Sequence, residues 1–285
     1  MSHLTNYAEN LLADLARGQG MTLAGAWTVH LLTSVSDSAH TKVTGTGYAG
    51  QSSTRSLTEW AGTQGAATTL VSSGTSHRTS NNSLIDFGTG GAGGWSGPAI
   101  AVGLFDGANL FAWADMDPRT IVEGEAISFD PGTIIFDFGV AGGMSDYLSN
   151  RLIDLIWRDE AYVWPANLYA AYTTTAPTNA AGGLEPGVGG YARQAIPSTL
   201  SGWTPTQGGL VTDASSGTGG RIGNQAAVTF PAPMANQGVA THGELLDAIV
   251  SGNLMFWRAL NAAKTIAAGG AAPSFASDAI GITWA

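Results

Sequence analysis

Apolar residues recur at helical spacing twice in this chain, near its start and again at its middle. Tyr7, Leu11 and Leu15 fall at i, i+4 and i+8, with Ala8 and Leu12 beside them, and Leu148, Leu152, Leu155 and Ile156 draw the same stripe. Thr5 or Asn6, and Ser145 or Asp146, suit the N-cap, because a short side-chain oxygen there accepts from the free N–H groups of the first turn. Gly18 suits the stop. One narrow apolar stripe predicts a helix lying across something larger. After each helix the period drops to 2. Trp27, Val29 and Leu31 alternate with Thr28 and His30, and Leu168, Ala170 and Tyr172 hold the same positions further on.

The pattern repeats because the sequence starts over. Thr5–Leu15 returns as Ser145–Leu155 at an offset of 140, with Tyr, Asn, Leu, Asp and Leu in register, and the strand after the helix is read at that same offset. A variable loop, Ser34–Gly45 against Thr174–Gly189, is read as carrying a three-residue insertion, since Gly47-Tyr48-Ala49 then matches Gly190-Tyr191-Ala192 at 143. That offset persists through Trp60 and Trp203, Thr63-Gln64-Gly65 and Thr206-Gln207-Gly208, Ser72–Thr75 and Ser215–Thr218, Arg78 and Arg221, and Asn81 and Asn224. The last third of each copy reads as a β meander. Leu84–Phe87 answers Ala227–Phe230, Ala99–Phe105 answers Ala240–Leu246, and Leu110–Trp113 answers Leu254–Trp257. Ile134, Phe136 and Phe138 share one face of the closing strand, as do Ile280, Ile282 and Trp284. The expected fold is mainly β: two tandem antiparallel β-sandwich modules, jelly-roll-like, each with one N-terminal helix. The first spans 1–140 and the second 144–285, with a glycine hinge at 141–143.

Composition narrows the function classes. The 40 glycines among 285 residues suit short strands joined by tight turns, while nine Trp, nine Phe and seven Tyr spread along the chain demand burial. With 21 acidic against 11 basic residues the net charge is −10 and no basic run occurs, which argues against nucleic acid as a partner. There is no cysteine, hence no disulfide and no thiolate metal site. No stretch reaches the roughly 20 apolar residues of a membrane span, and Met1-Ser2-His3-Leu4 lacks the features of a signal peptide, so neither a membrane nor the general secretory route is expected.

Chemistry-bearing patterns are few. Gly45-Thr46-Gly47-Tyr48-Ala49-Gly50 has dinucleotide-fingerprint spacing, but a polar, helix-poor segment follows and the second copy has Arg193 at the third glycine, so a turn is expected. His242 and Glu244 form a His-x-Glu pair without a further ligand motif, and an incidental histidine is the simpler reading. Asp14 and Asp154 match between copies, as a polar helix face would. Asp86-Phe87-Gly88 and Asp137-Phe138-Gly139 spell a kinase tripeptide with none of its companions. Asp115, Asp117, Glu123 and Glu125 are dense enough for a weak Ca²⁺ site or for a solvated loop. Trp60, Trp95, Trp164 and Trp203 could stack on a sugar, although the repetition of Trp60 as Trp203 favours packing. No catalytic, cofactor-binding or metal-binding residue is nominated.

The second copy resembles a family of proteins from tailed bacteriophages and prophages, described as tail-fibre-like virion proteins. The resemblance is carried by Ser145–Asn150, Gly190–Gln194, Asn224 with Ala227–Pro231, Val239–His242, Gly252-Asn253-Leu254 and Lys264-Thr265-Ile266 in this order, and Thr5–Gly139 looks like a more diverged member. Gly243–Asp247 stands where the family usually has a more apolar strand. The resemblance implies a non-enzymatic structural protein located on the virion, tail-fibre-like or decorating the capsid. Implied partners are other capsid or tail subunits and further copies of itself in a homo-oligomer. The alternative is an adhesin that binds a host-surface glycan or receptor.

Overall fold

A computed structural model describes residues 2–65, 68–138 and 143–284. The first repeat runs β1 (Ser2–Leu4), α1 (Asn6–Ala16), β2 (Ala26–Val35), β3 (His40–Lys42), β4 (Gln51–Thr54), β5 (Arg78–Ser80), β6 (Ile85–Thr89), β7 (Pro98–Asp106), β8 (Asn109–Thr120), β9 (Ala126–Phe129) and β10 (Ile135–Asp137). The second runs α2 (Asp146–Trp157), β11 (Asn167–Thr173), β12 (Gln194–Pro197), β13 (Arg221–Gly223), β14 (Val228–Thr229), β15 (Gly238–Leu246), β16 (Leu254–Ile266), β17 (Ser274–Phe275) and β18 (Gly281–Thr283). The chain is thus mainly β, with antiparallel sheets throughout and one helix opening each repeat, as its sequence periodicity leads one to expect.

The main sheet of the first repeat has the order β1-β8-β7-β2-β3, with β4 also paired to β2; that of the second is β12-β11-β15-β16. The last third is not a meander. β7 and β8 form a hairpin, β6 pairs with β9 around it, and β5 pairs with β10 outside that; β14 with β17 and β13 with β18 repeat this nesting around β15 and β16. One asparagine per repeat holds the nest closed. The Asn81 side chain accepts from Ile134 N at 2.8 Å and donates to Ser83 O and Asp130 O, both at 2.9 Å. Asn224 does the same with Ile280 N, Ala226 O and Ala276 O. Both side chains are buried, where unmet amide groups would each cost about 1–3 kcal/mol.

Strand register corrects the offset. Trp27 pairs with Ser53 and Leu168 with Ile196, which aligns β11 on β2 at 141 and not 140. The extra residue lies in the last turn of α2, which is 12 residues long against 11 for α1, so the following loop inserts only two. Bulges recur at matching places, between Ala99 and Ala101 and between Ala240 and His242, and again before Phe105 and Leu246. The Gly243–Asp247 stretch thereby has a defined register, with Glu244 opposite Ala171 and Trp257. Of the hinge residues, 141 and 142 lie outside the described residues; the Gly143 carbonyl accepts from Trp257 N at 2.7 Å.

Buried apolar residues of both repeats fall into one contiguous cluster. It takes Leu12, Trp27, Trp60, Phe111 and Phe136 from the first and Leu152, Ile156, Trp203, Met255 and Ile282 from the second. Trp157, at the end of α2, stands edge-on to Phe111 and Phe138 and stacks on Phe136, with ring centroids 6.3, 5.4 and 5.7 Å away. The second repeat's helix therefore ends inside the first repeat's core. A smaller cluster of Leu32, Ala101, Phe105, Leu110 and Trp113 covers the other face of the first main sheet.

Candidate functional site

The most elaborate polar construction in the molecule is where the two repeats meet, and it starts from the helix caps. Thr5 Oγ1 accepts from Ala8 N and donates to Leu110 O at 2.6 Å; Ser145 Oγ accepts from Leu148 N and donates to Leu254 O. Each cap thus closes the free end of its helix and ties it to β8 or β16 of the same repeat. With the helix start fixed, residues one and two turns on face the other repeat.

Asn10, Asp14 and Arg17 on α1 meet the segment Thr206–Thr218, while Asn150, Asp154 and Arg158 on α2 meet Thr63–Thr75. The Arg17 and Arg158 side chains are both fully buried. Arg158 donates from Nε to Trp60 O at 3.0 Å, from one terminal nitrogen to Asp154 Oδ1 at 2.7 Å and Ser72 Oγ at 3.2 Å, and from the other to Thr68 O and Leu70 O at 3.1 and 2.6 Å. All five guanidinium N–H groups are used. Arg17 donates from Nε to Trp203 O at 3.1 Å and reaches Asp14, Ser215 Oγ, Val211 O and Asp213 O, the counterparts at an offset of 143, with Leu200 O in addition. The carboxylates complete each joint. Asp154 accepts from Ser72 N at 2.7 Å and Ser72 Oγ at 2.6 Å, and Asp14 accepts from Ser215 N at 3.0 Å. Thr63 and Thr206 donate their hydroxyls to Asn150 and Asn10.

The receiving segments are preformed. Gln64 and Gln207 each bridge their own loop, accepting from Ser73 N and Ser216 N while donating to Val71 O and Ala214 O. Gly74 and Gly217 pass so close to Thr63 and Thr206 that a Cβ would lie 2.3 Å from the carbonyl oxygen. The conserved spacing of Thr-Gln-Gly and Ser-Ser-Gly-Thr between the copies is the spacing of this socket.

Three contacts break the pseudo-symmetry. Arg55 caps the end of α2 by donating to Ile156 O at 2.5 Å and to Leu155 O, where the second repeat has Ser198; burial lowers the Arg55 pKa. His77, buried and at φ +56°, pairs with Asp146 at 2.8 Å. Its counterpart, Gly220 at φ +55°, leaves room for Glu9, whose carboxyl is raised to about 7, first by burial and then by Asp37. The Asp14 and Asp154 pair is therefore a pair of buried joints rather than a polar outer face.

The other sequence candidates do not assemble into a site. Gly45 to Gly50 lead into β4, a strand, so the fingerprint spacing is a turn. His242 bonds to Thr241 and lies beside Trp257, apart from any ligand set, and among the described residues no group of three or more His, Asp or Glu side chains could hold a metal. Glu125 of the acidic cluster pairs with Arg119 at 2.7 Å, and Asp115 lies 3.3 Å from His3. Asp86 accepts from Gly88 N and Asp137 from Arg78. Trp60, Trp95, Trp164 and Trp203 are all buried and offer no stacking platform. No helix among the described residues is long and apolar enough to cross a membrane.

A cleft of about 370 Å³ lies in the second repeat alone, lined by Tyr147, Glu185, Arg193 and Glu244 among others. Arg193 is consumed by Glu185 at 2.6 Å and by Ala248 O and Ser251 O. Glu244 accepts from Gly183 N through Oε1, and burial raises its carboxyl. Gly50 and Gly103 stand at the corresponding positions of the first repeat, which has no such cleft among its described residues.

The arginines of the joint escape a fixed-offset reading, because Arg17 and Arg158 are 141 residues apart while Asp14 and Asp154 are 140 apart. Letting the offset slide by one at the end of the helix brings them into line. Comparison with known proteins gives one family match: the profile described as "Podophage GP4 fiber I protein gp80" fits the chain twice, over residues 3–137 and 143–283. No curated protein matches.

Proposed function

Because the chain belongs to the podophage GP4 fiber I protein gp80 family and carries the family's domain twice, we propose that it is a non-enzymatic structural part of the phage particle that works through symmetric protein–protein contacts. The family is one of phage fibre proteins, so this is a virion protein with a structural role. The double match carries the reading, since it accounts for nearly every residue and leaves no segment for a separate catalytic domain. In this reading, modules 1–140 and 144–285, joined at 141–143, act as one rigid pair, because helices, sockets and core are shared between them. The surface of that pair contacts neighbouring capsid or tail subunits and further copies of the chain. Imaging of purified particles tests it: density of this shape at symmetry-related positions is expected, and particles lacking the protein would overturn it.

One observation favours a second reading, adhesion to a host-surface glycan. The cleft beside Glu244 is present in only one repeat, polar, and large enough for a sugar unit. Retention of the folded protein on a glycan array, lost on Glu244→Ala, is the expected result; silence on the array removes this reading and leaves the first intact.

A further inference from the structure

We propose that the face each repeat turns to the other is a self-complementary docking surface whose partner is a second copy of the repeat, so that the chain is a dimer joined into one polypeptide and needs no covalent link to stay paired. The inference goes beyond the virion role and does not depend on it.

Three observations carry it. The joint is reciprocal: helix residues of the first repeat enter the socket of the second, and the same residue types of the second enter the socket of the first. Asn10, Asp14 and Arg17 answer Asn150, Asp154 and Arg158, and Thr206, Ser215 and the Trp203 carbonyl answer Thr63, Ser72 and the Trp60 carbonyl. Such a pattern, in which surface i meets j while j meets i, is that of a two-fold interface between subunits. Second, neither half is complete alone. Without the other repeat, buried Arg158 would keep only Asp154 among its acceptors, and Trp157 would leave Phe136 and Phe138 uncovered. Third, the buried apolar residues of the two halves form a single cluster, as in permanent subunit interfaces, which resemble a domain core cut in half.

The occupant follows from the chemistry. A partner for the socket must bring an amide, a carboxylate and a guanidinium on one helix face, at i, i+4 and i+7 or i+8. Two segments of this chain do so, and both are the opening helix of a repeat. The Arg55 and His77 contacts to α2 have no equivalents toward α1, which sets the preferred order: the first repeat's socket takes the second repeat's helix.

Inserting a protease site between Gly139 and Gly142 of the full chain, cutting it, and measuring mass under native conditions tests this. The two fragments are expected to travel together at the 29.1 kDa of the uncut chain. Separation of the fragments after cutting, whether folded or unfolded, overturns the proposal. A second variant guards against trivial entanglement: with Arg17→Ala and Arg158→Ala introduced together, the cut chain should come apart at concentrations at least tenfold above those at which the parent stays paired. If the cut double variant stays paired as tightly as the parent, the joint is not what holds the halves, and the proposal falls.

Discussion

Replacing Arg158 by alanine probes the joint where it is most buried. The side chain has no exposed surface, its Asp154 partner is only 5 % exposed, and the pair is separated by 2.7 Å. Removing the guanidinium leaves an uncompensated carboxylate together with the Trp60, Thr68 and Leu70 carbonyls, which lose their donors at once. Breaking a buried ion pair from one side typically costs about 3–5 kcal/mol. Leu70 itself is exposed, so water can re-enter near its carbonyl, which argues for the lower half of that range. At roughly 2–4 °C per kcal/mol for a chain of this size, the melting temperature should fall on the order of 10 °C. The assay is thermal and urea unfolding of the full chain, with Arg78→Ala as the comparison. Arg78 also pairs with a carboxylate, Asp137 at 2.6 Å, but it is 60 % exposed, and such pairs contribute about 0–1 kcal/mol. Arg17→Ala should resemble Arg158→Ala and not Arg78→Ala, because its pseudo-symmetric partners are the same. If Arg158→Ala loses less than about 1 kcal/mol, the reasoning from burial and reciprocity is wrong.

Other perturbations reach different parts of the fold. The Glu9 carboxyl is raised from 4.5 to about 7, so the folded chain binds that proton more tightly than the unfolded one; its contribution is full below about pH 4.5 and declines as pH rises to about 7. Glu9→Gln should therefore gain stability over the parent progressively across that window, by up to about 3 kcal/mol from the 1.36 kcal/mol per pKa unit, read as the difference between two urea–pH series. No difference at pH 8 would sink it. Asn224→Ala should cost about 2 kcal/mol or more by orphaning Ile280 N, Ala226 O and Ala276 O, with hydrogen exchange accelerating first in β13 and β18. Gly217→Ala drives a methyl to 2.3 Å from the Thr206 carbonyl, and should loosen the α1 joint in chemical-shift maps while leaving the cleft beside Glu244 unmoved.

Much of this was legible in the chain because local rules govern it. The helix stripes, the alternation of Trp27, Val29 and Leu31, and the closing Ile134 and Phe136 each follow from which face a residue presents to a core. The nesting of β5 with β10 was not legible, since it depends on partners dozens of residues apart, and the side chain that closes it, Asn81, looks like any turn asparagine. The exchange of helices between repeats was hidden for a related reason. A helix stripe states that something covers it and is silent about which half of the chain supplies the cover. The glycine turn at Gly45–Gly50 shows the converse, a pattern whose chemistry was ruled out by the strand-forming residues after it.

The one-residue difference between the helices and the cleft confined to one half share a consequence for how such a protein can change. Where two identical chains associate, any altered codon appears on both partners, and the assembly must tolerate it twice. Here Arg193 and Glu244 face Gly50 and Gly103 across the pseudo-axis. A single polypeptide with two-fold packing inside can thus present unlike faces outside, one specialised without disturbing its twin.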